Sequence, residues 1–377
     1  MIRRSLEQSL LENLKQGHVT ALFGAKRTGK TVLMQRIAEI LSDKKILTVN
    51  GEDLDAATIL SSQKQSVLSN LVAGYDYLFI DEAQSVPNIG LNLKLLVDTN
   101  PGVSVFVTGS SSFDLRNQIG EPLTGRSRYW SIFPFTVSEI SHDYLALMRL
   151  LPSLLVFGSY PQVYTAENDK EKRLILENIR NGYLLKDVLQ LDNVKDSLFV
   201  LNLLKYLAFQ IGNDVSFNEL ANSLHSTVKT VKRYIEILEK AFVIFRLTGF
   251  SRNLRKEISK SPRIYFWDNG IRNAVISRFE PLELRDDAGK LWENFCISER
   301  IKKQTYAESF SSFYFWRTYD QQEIDLIEEN EDKLQAYEFK WGDKPARVPA
   351  GFERTYPNAT FETINRQNFY DFLIPRT

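Results

Sequence analysis

Residues 24 to 31 read Gly-Ala-Lys-Arg-Thr-Gly-Lys-Thr, the full G-x-x-x-x-G-K-[ST] spacing of a phosphate-binding loop. Glycines at 24 and 29 let the backbone fold around an anion. N–H groups from the stretch Gly24, Ala25, Lys26, Arg27, Thr28 and Gly29 can then turn inward to α and β phosphates. Lys30 suits the β and γ phosphates, and the Thr31 hydroxyl suits a Mg²⁺ ion. Downstream, Asp81-Glu82 closes an apolar run, Tyr77-Leu78-Phe79-Ile80. Phosphoryl transfer needs a metal to neutralise phosphate charge and a separate base to orient the nucleophile. Asp81 is expected beside the Mg²⁺, and Glu82 is expected to polarise the attacking water. A third apolar run, Val103 to Val107, ends in Thr108-Gly109-Ser110-Ser111, whose hydroxyls could reach the γ phosphate or that water. Thr-Gly-Ser is also ordinary turn chemistry.

Such groups need elements that hold them. Val19 to Phe23 reads as a strand entering the loop, and Val32, Leu33, Ile37, Ile40 and Leu41 fall at helical spacing after it. A helix opening at Lys30 would aim its positive dipole end at the phosphates. In a parallel sheet the carboxyl ends of successive strands share one crevice, which brings Asp81-Glu82 beside the loop. The chain is therefore expected to bind a nucleoside triphosphate with Mg²⁺ and to hydrolyse it.

The 377 residues suggest two to four domains. A hydrophobic share of 43% and a charged share of 25% are those of an ordinary soluble protein. Lys+Arg and Asp+Glu both total 47, so any basic surface for nucleic acid must be local. One cysteine, Cys296, excludes an internal disulfide and fits a reducing cytoplasm; it reads as a small buried residue. The start of the chain lacks the apolar core of a signal peptide, and no stretch of 18 apolar residues suggests a membrane span. His18, His142 and His225 form no motif.

Four blocks are expected: an ATPase core over 1–140, a helical lid or linker over 141–195, a winged helix over 196–275 and a small α/β domain over 276–377. In the third block, helices are expected over 198–211, 217–224 and from Ser226 or Thr227 to Lys240. Strands at 242–247 and 263–267 follow. Lys229, Lys232 and Arg233 would face outward from the third helix, with Val231, Ile235 and Leu238 inward. A wing between the strands would add Arg252, Arg255, Lys256 and Lys260. That basic face suits DNA phosphates, although the same fold also serves protein contacts.

The last block carries strands near 313–317, 323–328 and 334–340, the second and third turned back on each other at 329–332. Asp325 is then expected near the level of Glu338, with Glu338 and Lys340 on one face. Asp325, Glu338 and Lys340 form the D…E-x-K pattern of metal-dependent phosphodiesterases, with Glu293 as a further carboxylate. A second Mg²⁺ or Mn²⁺ would sit there. The plain alternative is solvated strand acids beside a surface lysine.

Taken together, the order of motifs resembles the prokaryotic AAA+ ATPases that carry a C-terminal domain of unknown function with a restriction-endonuclease-like fold. The resemblance runs through the phosphate loop, Asp81-Glu82-Ala83-Gln84, Thr108-Gly109-Ser110, Leu123-Thr124-Gly125-Arg126 and Gly158-Ser159-Tyr160-Pro161. It continues through Arg263 to Gly270, Leu291-Trp292-Glu293-Asn294, Trp316-Arg317 and Glu323-Ile324-Asp325…Glu338-Phe339-Lys340. The family pattern often has two glycines before Tyr160-Pro161, and Ser159 replaces the second here. The resemblance implies that Arg126 acts as a γ-phosphate sensor or finger. It implies an α/β P-loop sheet with helices on both faces, then a winged helix and a nuclease-like domain. The implied function is ATP-driven action on DNA. The rival is a nucleotide switch, as a homo-oligomer or with a protein partner, that cuts nothing.

Overall fold

A computed structural model describes residues 2–110, 123–184, 196–251, 261–318, 322–331 and 333–374. Ser111, Arg252, Arg255, Lys256, Lys260, residues 185–195 of the expected lid or linker and Asp332 of the expected turn lie outside the described residues. The chain divides into two compact units, Met1–Phe133 with Lys240–Phe242, and Pro134–Glu239 with Val243–Thr377.

The first unit alternates α1 (Leu6–Asn13), β1 (Val19–Phe23), α2 (Lys30–Ile40), β2 (Ile46–Asn50), α3 (Leu54–Leu60) and α4 (Gln65–Leu71). It continues with β3 (Tyr77–Asp81), α5 (Ile89–Thr99), β4 (Ser104–Gly109) and β5 (Ser127–Ser131). The five strands are all parallel, in the order β2-β3-β4-β1-β5. Parallel strands covered on both faces read as continuous apolar runs. Leu78, Phe79 and Ile80 of β3 and Val105, Phe106 and Val107 of β4 are accordingly fully buried. The register aligns Phe23 with Gly109, and Val107 with Ile80, so β1, β4 and β3 end along one edge. Helix α2 buries Leu33, Met34 and Ile37, whereas Val32 and Ile40, expected on its apolar stripe, face outward.

The second unit opens with helices α6 (Val137–Ile140), α7 (Tyr144–Phe157), α8 (Pro161–Tyr164) and α9 (Asp169–Asn178). Three helices follow, α10 (Ser197–Phe209), α11 (Phe217–Ser223) and α12 (Val228–Lys240). Ser216 caps α11 by accepting from the Glu219 N–H. An antiparallel pair, β6 (Ile244–Gly249) and β7 (Arg263–Phe266), comes next. After α13 (Asn269–Ile276) the chain runs through α14 (Ala288–Tyr306), β8 (Ser312–Arg317), β9 (Glu323–Asn330), β10 (Lys333–Phe339), α15 (Ala350–Thr355), β11 (Thr360–Ile364) and α16 (Phe369–Leu373).

Three helices and an antiparallel pair are the elements expected of the third block. The pair does not stand alone, because Thr248 and Gly249 of β6 pair in parallel with Tyr314 and Phe315 of β8. One six-stranded sheet, β11-β10-β9-β8-β6-β7, therefore crosses the boundary expected near residue 276. An isolated two-stranded ribbon is marginal in water, and joining a larger sheet covers its edge. Helix α14 is buried from Leu291 through Ile297, which seats Cys296 in the core. Among the described residues, no helix is long and apolar enough to cross a membrane.

Candidate nucleotide site and the acidic cluster of the second unit

The phosphate-loop residues sit at the carboxyl end of β1. A Cβ at Gly24 would fall 2.2 Å from the Ile132 carbonyl oxygen, so the loop leaves β1 where only glycine fits. Arg27 and Gly29 take left-handed φ values of 66° and 96°, which coil the loop back on itself. Thr28 is buried, its hydroxyl donating to the Ala25 carbonyl at 2.8 Å. Lys30 is buried at the first turn of α2, its ammonium donating to the carbonyls of Gly24 at 3.0 Å and Ala25 at 3.1 Å. Lys26 and Arg27 lie on the outer side of the loop, half-buried and exposed.

The acids of β3 arrive from two strands away. The Thr31 hydroxyl donates to Asp81 Oδ2 at 2.7 Å, and the Thr108 hydroxyl, from the end of β4, donates to Asp81 Oδ1. Glu82 follows in left-handed conformation with φ 49°, its N–H donating to Thr108 Oγ1 at 3.2 Å. A non-glycine residue held there stores strain of the kind found at functional sites. Gln84 Nε2 bridges Glu82 Oε2 at 2.5 Å and Ser110 Oγ at 3.1 Å, while Gln84 Oε1 is buried without a partner among the described residues. Sequence pointed Thr108 at the γ phosphate or the water rather than at Asp81, and gave Gln84 a place in a motif but no role of its own. The signal was present for Thr108, a hydroxyl closing the strand between β1 and β3.

These residues fit a nucleoside triphosphate with Mg²⁺. A backbone cradle, a buried lysine, a hydroxyl against a carboxylate and a polar triad of Glu82, Gln84 and Ser110 lie along one edge of the sheet. Arg126 does not join them. It directly precedes β5, and its carbonyl accepts from Val19 N at 2.9 Å, at the amino end of β1. The loop leaves the other end of β1, about 16 Å away for a five-residue strand. Arg126 instead pairs with Asp98 on α5 and is half exposed. The parallel register of β1 and β5 thus sets Arg126, expected as a γ-phosphate sensor or finger, at the end of the sheet opposite the loop of its own chain.

In the second unit, β9 and β10 pair with Leu326 opposite Tyr337, which carries Asp325 to the level of Glu338. Asp325 Oδ2 accepts from the Phe339 N–H at 2.9 Å, and Lys340 donates to Glu338 Oε1 at 2.7 Å. Glu293, from α14, accepts from the Tyr265 hydroxyl at 2.8 Å and from Lys290 at 3.1 Å. Burial first, then the neighbouring Asp325, pushes Glu293 up to about 7. Burial likewise raises Asp325, against the pull of the Phe339 N–H and Arg263, and raises Glu338 with Asp325 adding to it.

Asp325 and Glu338 lie at one level of the hairpin as expected, but each acid faces a cation of the protein itself. Arg263 lies 3.8 Å from Asp325 and bonds Glu323 at 2.6 Å and Asp214 at 3.2 Å. Among the described residues no three His, Cys, Asp or Glu side chains are grouped so as to hold a metal. The second divalent ion expected at Asp325 and Glu338 is not supported. On α12, Val231, Ile235 and Leu238 are buried and Lys229, Lys232 and Arg233 are exposed, with Lys232 5.6 Å from the Phe217 ring centre.

Several of the motifs that carry the family resemblance are structural. Asp268 is buried and accepts from Ser159 N at 2.7 Å and Ile271 N at 3.0 Å. Gly158 has φ 72°, and a Cβ there would strike Asp268 Oδ1 at 2.1 Å. The contact from Ser159 uses its backbone N–H, which explains why a second glycine is dispensable. Asn294 donates to Phe266 O at 3.0 Å and Asn269 Oδ1 at 2.8 Å, and Asn269 donates to Leu291 O at 3.0 Å.

The AAA domain family matches residues 16–141. Two domains of unknown function, DUF8612 and DUF4143, match residues 148–282 and 288–365. The first unit has a P-loop α/β fold. An uncharacterized protein of Methanocaldococcus jannaschii is 24% identical over 97% of this chain and 84% of its own length. An uncharacterized protein of Mycobacterium tuberculosis is 26% identical over 91% of this chain and 75% of its own. AMPPCP-bound DnaA from Aquifex aeolicus shares 15% identity, covering 62% of this chain and 86% of that one, with a TM-score of 0.34. Cdc6p from Pyrobaculum aerophilum shares 14% identity over 73% and 94%, with a TM-score of 0.28.

Proposed function

We propose that the P-loop unit is a Mg²⁺-dependent ATPase and that its turnover is coupled to DNA bound by the second unit. One observation carries the first part: the Thr31 hydroxyl meets the Asp81 carboxylate at 2.7 Å beside a buried Lys30. Thr31 and Asp81 would hold the Mg²⁺, which supplies charge neutralisation at the phosphates. The loop backbone binds and orients the phosphates, and Lys30 adds a fixed cation. Glu82, held by Gln84 beside Ser110, orients the attacking water and takes its proton.

DNA is the reading favoured for the second unit by three exposed cations on one helix, Lys229, Lys232 and Arg233, in a chain of zero net charge. The acidic cluster is matched by Arg263, Lys290 and Lys340, which supports binding rather than strand cleavage. ATP turnover with and without duplex DNA tests the coupling. Stimulation that is lost in Lys30→Ala supports it, and indifference to every DNA form would leave a nucleotide switch with a protein partner.

A further inference from the structure

A phosphate loop works only if its peptide units turn their N–H groups inward. Each such peptide then turns its carbonyl outward, because the trans peptide sets C=O and N–H on opposite sides. The described residues contain no cis peptide bond. Outward carbonyls in a buried loop need donors of their own.

For the Thr28–Gly29 peptide that donor comes from the start of the chain. Arg4 is buried, only 7% exposed, and its Nη1 donates to the Thr28 carbonyl at 2.9 Å. Its Nη2 donates to the Phe133 carbonyl at 2.6 Å. Phe133 directly follows Ile132, whose carbonyl lies against Gly24 at the opposite end of the loop. One planar guanidinium thus ties the second half of the loop to the segment that supports the first half.

We propose that Arg4 is a positioning residue for nucleotide binding: by holding the Thr28 carbonyl outward it presents the Gly29 N–H to the phosphates. The proposal rests on the reading of the loop as a triphosphate site. Gly29, at φ 96°, can take either peptide orientation at little cost, so the direction must be imposed from outside. Thr28 adds a second restraint through its hydroxyl bond to Ala25. A lysine at position 4 could reach one carbonyl but has no fork to span two.

The test is steady-state ATP hydrolysis by the full chain carrying Arg4→Ala or Arg4→Lys, with Arg3→Ala as an exposed neighbour. Ordering the loop serves ground state and transition state alike, so KM should rise and kcat should hold. Losing a hydrogen bond to a charged donor corresponds to about a tenfold change for Arg4→Ala, and about threefold is expected for Arg4→Lys. Arg3→Ala should leave both constants within about twofold. A merely structural arginine would lower the active fraction, and hence kcat, at constant KM; that pattern overturns the proposal. If Arg4→Ala fails to fold, Arg4→Lys decides by the same split. Absence of ATP binding by the unmodified chain would instead overturn the triphosphate reading on which the proposal stands.

Discussion

The Thr31 hydroxyl donates to Asp81 Oδ2 at 2.7 Å, joining the start of α2 to the end of β3 across fifty residues of chain. The relationship exists because β4 lies between β1 and β3 and supplies Thr108 to the other Asp81 oxygen. Asp81 is therefore held by hydroxyls on both sides and directed at one place, leaving Glu82 for a different task. Glu82→Gln should keep ATP affinity, since Lys30, Thr31 and Asp81 are untouched. Turnover should fall by at least about a hundredfold, the usual worth of a positioned general base. Equilibrium binding of a fluorescent ATP analogue beside phosphate release checks both halves, and undiminished release would assign water activation to another group.

Arg126 pairs with Asp98 at the sheet edge opposite the loop. Arg126→Ala should leave KM and kcat for ATP within about twofold in dilute protein, the range of an exposed substitution. Turnover that falls in the variant only as protein concentration rises would assign Arg126 to the site of a neighbouring copy.

Sequence made the candidate site of the first unit legible because its signals are local: glycine spacing, a lysine and apolar runs of buried parallel strands. It did not reveal β5, whose five residues alternate Ser127, Arg128, Tyr129, Trp130 and Ser131 without an apolar run. That omission hid the location of Arg126, which only the register against β1 fixes. Strand β2 was equally silent, since an edge strand leaves Ile46 and Val49 half covered. In the second unit, sequence placed Asp325, Glu338 and Lys340 on one hairpin. It could not show Arg263 entering from β7, because the pairing of β6 with β8 that brings it near is long-range. The Asp268 contact to Ser159 spans 109 residues and was legible only as two unconnected motifs.

Lys229 and Lys232 are exposed on the polar face of α12. If both meet DNA phosphates, replacing the pair by alanine should reduce the slope of log K against log salt by about 1.8, near 0.9 per contact. Fluorescence anisotropy over a salt series measures this, and an unchanged slope would remove α12 from the interface.

Because Arg263, Lys290 and Lys340 already face the three acids, Mn²⁺ should neither raise the unfolding temperature of the second unit's transition nor produce nicked plasmid. Nicking that needs Mn²⁺ and vanishes in Asp325→Ala would show that these cations yield their carboxylates to a metal.

The last prediction concerns pH. Glu293 is buried, bonded to Tyr265 and Lys290, with its pKa raised by burial and by Asp325 from 4.5 to about 7. Between those values the folded chain holds a proton that the unfolded chain has released. Stability from this group is therefore fully present below about pH 4.5 and is lost as pH rises through about 7. The shift sets a ceiling of about 3 kcal/mol, at 1.36 kcal/mol per pKa unit, and coupling to Asp325 makes the observed change smaller. Glu293→Gln keeps an oxygen for the Tyr265 hydroxyl and cannot ionise. Urea midpoints at about pH 5 and about pH 8 should drop more in the unmodified chain than in the variant. Asp325 and Glu338 titrate in the same direction in both proteins, so only the difference between the two profiles reports Glu293. Parallel profiles would mean that Glu293 is ionised throughout, held by Lys290 against its burial.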